Sequence, residues 1–134
     1  LNKIFFVCTG SEANDLALRI AKNYTKANHF LVMDNAYHGH TNSLIDLSPY
    51  KFKGKGGEGK KDYVHVLRMP DETRGKWTKE NSKWIESYIE EAKNLINNNF
   101  NHKNLLASFF FESILGCGGQ VVLPKNYIKE IINL

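Results

Sequence analysis

Cysteine is scarce. Cys8 and Cys117 are the only two in 134 residues, too few to frame a disulfide-stapled secreted domain. No unbroken apolar run is long enough to cross a bilayer, and the residues from Leu1 onward form no recognisable signal peptide. A cytoplasmic parent without a membrane role is therefore expected. His29, His38, His40, His65 and His102 stand at no metal-ligand spacing from carboxylates or cysteines, so no metal site is expected. Zinc-finger spacing and aromatic ladders are also missing. The excess of 18 Lys and Arg over 14 Asp and Glu gives a formal charge of +4 without naming an anionic partner. Much of it lies in residues 51–61, a lysine- and glycine-rich loop read as solvated surface rather than a nucleic-acid contact.

What is present is 42% hydrophobic content, enough for one modest globular unit. Residues 4–8 are apolar on both faces and read as a buried strand. Thr9-Gly10-Ser11 then turns into a helix over residues 12–26, with Ser11 placed to cap it. Ala13, Leu16, Ala17, Ile20, Ala21 and Tyr24 recur there at helical spacing. Strands are expected over 30–33, 63–67 and 105–111, short helical turns over 41–47, and an irregular connection over 70–76. A longer helix over 80–97 frays through Asn97, Asn98, Asn99 and Asn101. Val121-Val122-Leu123 leads to Pro124 and a last helix. Strands alternating with helical patterns predict an α/β fold: a mostly parallel sheet with helices on both faces.

Ligands of such sheets gather beyond the carboxyl ends of the strands. Three groups stand there: Thr9-Gly10-Ser11, Tyr37-His38-Gly39, and Glu112. Free amides, the helix dipole and two hydroxyls at Thr9–Ser11 suit a phosphate. That junction carries a single glycine, so it is not the fingerprint of a dinucleotide or Walker site. A phosphorylated aromatic ligand fits the trio, its phosphate over the helix and its ring beside Tyr37. Plainer readings stay open: Tyr37 filling the core, His38 satisfying a turn, Glu112 serving as a cap or ion pair, and Cys117 packing in a glycine loop.

The three segments together resemble a known family. Residues 5–19, centred on Thr9-Gly10-Ser11-Glu12-Ala13, are similar to the phosphate-binding segment of class III pyridoxal-phosphate-dependent aminotransferases. Residues 34–41, with Tyr37-His38-Gly39-His40, resemble the segment that stacks on the cofactor. Residues 110–120, opening on Phe110-Phe111-Glu112, resemble a third segment in the same order. The resemblance implies that Gly10 and Ser11 bind the phosphate of pyridoxal 5'-phosphate with Thr9 beside them. It implies too that Tyr37 stacks on the pyridine ring, that His38 and Gly39 shape the pocket, and that Glu112 lies near the cofactor. Glu112-Ser113, Cys117-Gly118-Gly119-Gln120 and residues 43–52 look most like the branch of ethanolamine-phosphate and phosphohydroxylysine phospho-lyases.

The same resemblance makes residues 1–134 part of the large domain of a fold-type I enzyme, a homodimer acting on a primary amine or phosphorylated amine. Either transamination or elimination of phosphate would follow proton loss from the amine-bearing carbon. The family's Schiff-base lysine and the aspartate facing the pyridine nitrogen are expected downstream, so no catalytic residue is assigned here and the isolated piece is expected to be inactive. Leu1 and the helical pattern running into Leu134 also suggest a piece of a longer polypeptide. A phosphate-ligand binding module and a structural module are the non-enzymatic alternatives.

Overall fold

The computed structural model describes residues 2–100 and 105–134. Its centre is a three-stranded parallel sheet in the order β2-β1-β3, built from β1 (His29–Met33), β2 (Val64–Leu67) and β3 (Leu106–Phe110). Alternate residues of β1 enter different cores because strand side chains alternate between faces. Leu31 and Met33 pack with Leu67, Tyr88, Ala92 and Ile131. Phe30 and Val32 pack with Leu18, Leu44, Phe52 and Val64. Helices α4 (Trp84–Phe100) and α5 (Tyr127–Asn133) cover the first face; α1 (Gly10–Thr25), α2 (Asn42–Asp46) and α3 (Pro49–Phe52) cover the second. The expected two-sided α/β sheet is what forms.

Several local expectations fail for identifiable reasons. Residues 4–8 are not a strand: Ile4 is 77% and Phe6 93% exposed, and no strand among the described residues lies alongside to satisfy their backbone. The sheet accordingly has three strands, where the apolar runs suggest four. Helix α1 turns a different side to the sheet than its apolar spacing predicts. Leu18 is its buried residue, while Tyr24 of the expected stripe is 88% exposed. Helix α4 begins four residues late because Asn81 arrests the chain. Its side chain accepts from the Lys83 amide at 2.9 Å, and its carbonyl accepts from the Trp84 amide at 3.0 Å. The helix then runs through Asn97–Asn99 to Phe100. Asn101 and His102 lie outside the described residues.

The glycine-rich tract is also more ordered than its composition suggests. Helix α3 takes its first residues, Lys53 pairs with Asp34 at 2.6 Å, and Lys61 pairs with Glu58 at 2.8 Å. Gly54 to Lys60 reads G-x-G-x-x-G and G-x-x-x-x-G-K as letters. It follows a helix and enters β2, the reverse of the strand-then-helix context that makes such strings phosphate cradles. After β3, the glycine loop is the turn of a small antiparallel hairpin, β4 (Ile114–Leu115) with β5 (Val121–Val122).

The packing predicts a contrast in urea unfolding. Phe30→Ala, at a fully buried central position, should cost about 3–5 kcal/mol. Lys79→Ala, which removes an exposed ion pair with Glu72, should stay within about 0.5 kcal/mol.

Candidate functional site

Thr9, not Ser11, caps α1. The Thr9 hydroxyl oxygen accepts from the Glu12 amide at 3.1 Å, and Glu12 Oε2 accepts from the amides of Cys8 and Thr9 at 2.7 and 3.2 Å. This capping box answers two amides with a carboxylate and one with a hydroxyl. Among the described residues, the N–H groups of Gly10 and Ser11 find no partner. A side-chain carbon at Gly10 would meet nothing within 4 Å. Two free amides, the positive end of a four-turn helix and open space at Gly10 are features that suit a small anion. Because Thr9 is occupied with capping, its expected share in that site shrinks to a hydroxyl hydrogen.

The loop after β1 comes to this helix end. Its course is set by Asn35, whose φ of 60° reverses the chain, and by Ala36, which is fully buried. The His38 amide donates to Ser48 Oγ at 2.9 Å, and the His38 carbonyl accepts from Asn14 Nδ2 at 2.8 Å. Gly39, at φ 138°, leaves no room for a side chain: a Cβ would stand 2.6 Å from Leu44 Cδ1 and 2.8 Å from Ser11 Oγ. The His40 amide then donates to Ser11 Oγ at 3.3 Å, and His40 Nδ1 lies 3.1 Å from the same oxygen.

Glu112 joins from the end of β3. Its Oε1 accepts from the Tyr37 amide at 2.9 Å and its Oε2 from the Gly116 amide at 3.1 Å. The charge that closes an apolar strand is thus answered by two backbone donors. Tyr37 is half-buried, its ring edge-on to Tyr50 at 6.4 Å, with Lys51 Nζ 5.6 Å from its centroid. His38 is 6% exposed, and its Nε2 has no hydrogen-bond partner. Burial lowers its pKa below the ordinary 6.5, with nearby Glu112 offsetting part of the shift.

Thr9, Gly10, Ser11, Tyr37, His38, Gly39 and Glu112 therefore form one connected rim. Asn14, His40 and Ser48 complete it; they fall within the segments that carry the family resemblance, which assigns them no role. Asn14 is one more helix residue, and Ser48 precedes a proline that reads only as a stop. A cavity of about 650 Å³ lies elsewhere, lined by Glu12, Asp15, Arg19, Lys22 and Ser43. Its mixed charges touch neither Tyr37 nor Glu112, so the site rests on the rim's chemistry rather than on cavity size. Cys8 and Cys117 are free and exposed. Among the described residues no cluster of three metal-ligating side chains exists, and no helix is long and apolar enough to cross a membrane.

The model of the class-III aminotransferases matches residues 2–134, and the chain belongs to that family. An alanine–glyoxylate aminotransferase 2-like protein of Drosophila melanogaster is 41% identical, covering 98% of this chain and 27% of that protein. Ethanolamine-phosphate phospho-lyase homolog 1 of Caenorhabditis elegans is 39% identical, covering 98% of this chain and 30% of that protein. A phospholyase from Arthrobacter, solved with phosphoethanolamine, superposes with a TM-score of 0.81 at 28% identity, over 99% of this chain and 31% of its own. Taurine:2-oxoglutarate aminotransferase from Bifidobacterium kashiwanohense, solved with PLP and glutamate, gives 0.79 at 19% identity, over 95% and 29%. The fold is that of the fold-type I transferase large domain, and the chain spans about three tenths of these relatives' length. Proteins named for transamination and for phosphate elimination resemble it to nearly the same degree, so likeness identifies the family and not the branch.

The burial of His38 predicts a pH dependence. Its folded pKa lies below the unfolded 6.5, so the unfolded chain binds the proton first, and stability falls as pH drops through 6.5 toward the folded value. His38→Phe should flatten urea-measured stability across that window, leaving the other groups' slope.

Proposed function

We propose that this chain supplies the phosphate- and ring-holding loops of a pyridoxal-phosphate-dependent class III enzyme, an aminotransferase acting on a primary amine or amino acid, with residues 1–134 as part of its large domain. One observation carries the reading. The anion-ready end of α1 and the aromatic Tyr37 are held on one rim by Ser11–His40 and Tyr37–Glu112 hydrogen bonds. The residues fit the group: the open space at Gly10 faces two unpaired amides and a hydroxyl, the donor set a phosphate dianion requires.

Each residue then has a physical task. Gly10 and Ser11 hold the phosphate by backbone and hydroxyl donors, Tyr37 offers its ring as a stacking surface, and Glu112 fixes Tyr37 through its amide. His38, buried and kept neutral, fills the floor behind Tyr37 without adding charge there. When bound, pyridoxal phosphate supplies the conjugated electron sink that accepts the charge left when a bond at the amine carbon breaks. Gripping one end and bracing the other limits tilt, which aligns that bond. The lysine and aspartate expected downstream complete the machinery in the intact protein.

A second reading, phosphate elimination from a phosphorylated amine, is favoured by Lys51. Its ammonium lies 5.6 Å from the Tyr37 ring and 5.7 Å from the Tyr50 ring, and it forms no ion pair among the described residues. A cation so placed suits a substrate phosphate. With the intact protein, phosphoethanolamine yields acetaldehyde, ammonia and phosphate if this reading holds. Amino transfer from a donor to an oxo acid without phosphate release selects the aminotransferase.

Cofactor use is tested by hydride reduction and peptide mapping of the intact protein. A pyridoxyl-lysine beyond Leu134 is expected; none under saturating cofactor overturns the proposal. Gly10→Val should leave folding stability within about 1 kcal/mol, since a Cβ there meets nothing within 4 Å beyond its own helix and chain neighbours, while weakening cofactor affinity by about tenfold or more. Tyr37→Ala should lower kcat with a smaller loss of cofactor affinity, and an unchanged absorption spectrum and rate would reject the stacking role.

A further inference from the structure

The contact between Ser11 and His40 raises a question of proton placement. A serine hydroxyl has one hydrogen and two acceptor lone pairs. One lone pair of Ser11 Oγ receives the His40 amide at 3.3 Å, and His40 Nδ1 lies 3.1 Å away. Only two arrangements satisfy both distances. With the imidazole proton on Nε2, Nδ1 is an acceptor, and the Ser11 hydroxyl hydrogen is spent on it. With the proton on Nδ1, the ring donates to Ser11 Oγ, both lone pairs are filled, and the hydroxyl hydrogen is released toward another acceptor.

The surroundings hold this pair in place. Gly39 lets the loop approach Ser11 closely: its φ of 138° strains any side chain, and a Cβ there would stand a tight 3.1 Å from the Ser11 backbone. Asn14 pins the preceding carbonyl at 2.8 Å. The His40 residue is exposed, so water serves Nε2 equally well as donor or acceptor. Ser11 also stands beside the unpaired amides and the open space at Gly10.

We propose that His40 is the positioning residue of the anion cradle: with its proton on Nδ1 it fills the second lone pair of Ser11 and so directs the Ser11 hydroxyl hydrogen at the phosphate. This rests on the reading that the Gly10–Ser11 cradle takes the cofactor phosphate. The proton count balances without a change of charge. On binding, the Ser11 O–H exchanges Nδ1 for a phosphate oxygen, Nδ1 gains a proton from water, and Nε2 returns one. Phosphate and the Nδ1 proton then favour each other reciprocally. The link also couples the phosphate end of the site to the loop that carries Tyr37, three residues before His40.

The test uses the intact protein, freed of cofactor and labelled with nitrogen-15 in histidine, at about pH 8, above the ordinary histidine range. Inorganic phosphate and pyridoxal phosphate are the probes. The His40 Nδ1 resonance is expected to move from an acceptor-type to an N–H-type position as either probe saturates, and Ser11→Ala should abolish the move. His40→Gln, whose amide can still donate to Ser11, should keep pyridoxal phosphate affinity within about twofold, while His40→Phe, which leaves the Ser11 hydroxyl undirected, should lose about fivefold, the worth of one neutral hydrogen bond. Binding with an unmoved Nδ1, or equal affinity in His40→Phe, overturns this inference and leaves the cofactor reading standing. No binding of either probe to the wild-type protein overturns both.

Discussion

Strand β1 has neither an edge nor a face left for water. It is hydrogen-bonded to β2 on one side and β3 on the other, and its last four residues are buried between two separate cores. A strand so enclosed cannot slip by one residue without sending Phe30 and Val32 into the core built for Leu31 and Met33. Its register is therefore fixed, and so is the point at which Asp34 leaves the sheet. Everything at the rim is measured from that point.

From there the site is assembled by polar contacts rather than by packing. Glu112 holds the start of the loop through the Tyr37 amide, Ser48 and Asn14 hold both sides of His38, and Ser11 receives His40. Most of these bonds use backbone groups on the loop side, so the loop's path is specified more tightly than its side chains. The ring of Tyr37 is left to meet a ligand, while that of His40 turns to Ser11. The Gly10 and Ser11 amides are free because Glu12 folds back onto Cys8 and Thr9 instead of covering them. The capping that stabilises the helix and the free amides that suit an anion arise from the same five residues, Cys8 to Glu12.

The sheet strands and the long helices were legible in the sequence because their apolar periods are strong: Phe30 to Met33, Val64 to Leu67 and Leu106 to Phe110 all form where their composition places them. The apolar run at residues 4–8 carries an equally strong signal and forms no strand, because a run's composition says that it needs partners and not whether they are present. Helix α1 was legible in extent and misread in orientation. Its apolar stripe through Ala13, Ala17, Ile20 and Tyr24 stays exposed, while the less exposed side holds Ser11, Asn14 and Ala21 beside Leu18, which enters the core with Ala107 of β3.

For the site, chain chemistry alone determined which residue types were available: a glycine turn with hydroxyls before a helix, an aromatic after a strand, a carboxylate closing an apolar strand. Those follow from local rules of capping, turn formation and charge, which act over a few residues. Only the tertiary structure decided that they share one rim and that His40 reaches Ser11. Those contacts bridge 29 residues between Ser11 and His40 and 75 between Tyr37 and Glu112. Separations of that size are closed by the packing of β1 between its neighbours, which no local pattern encodes.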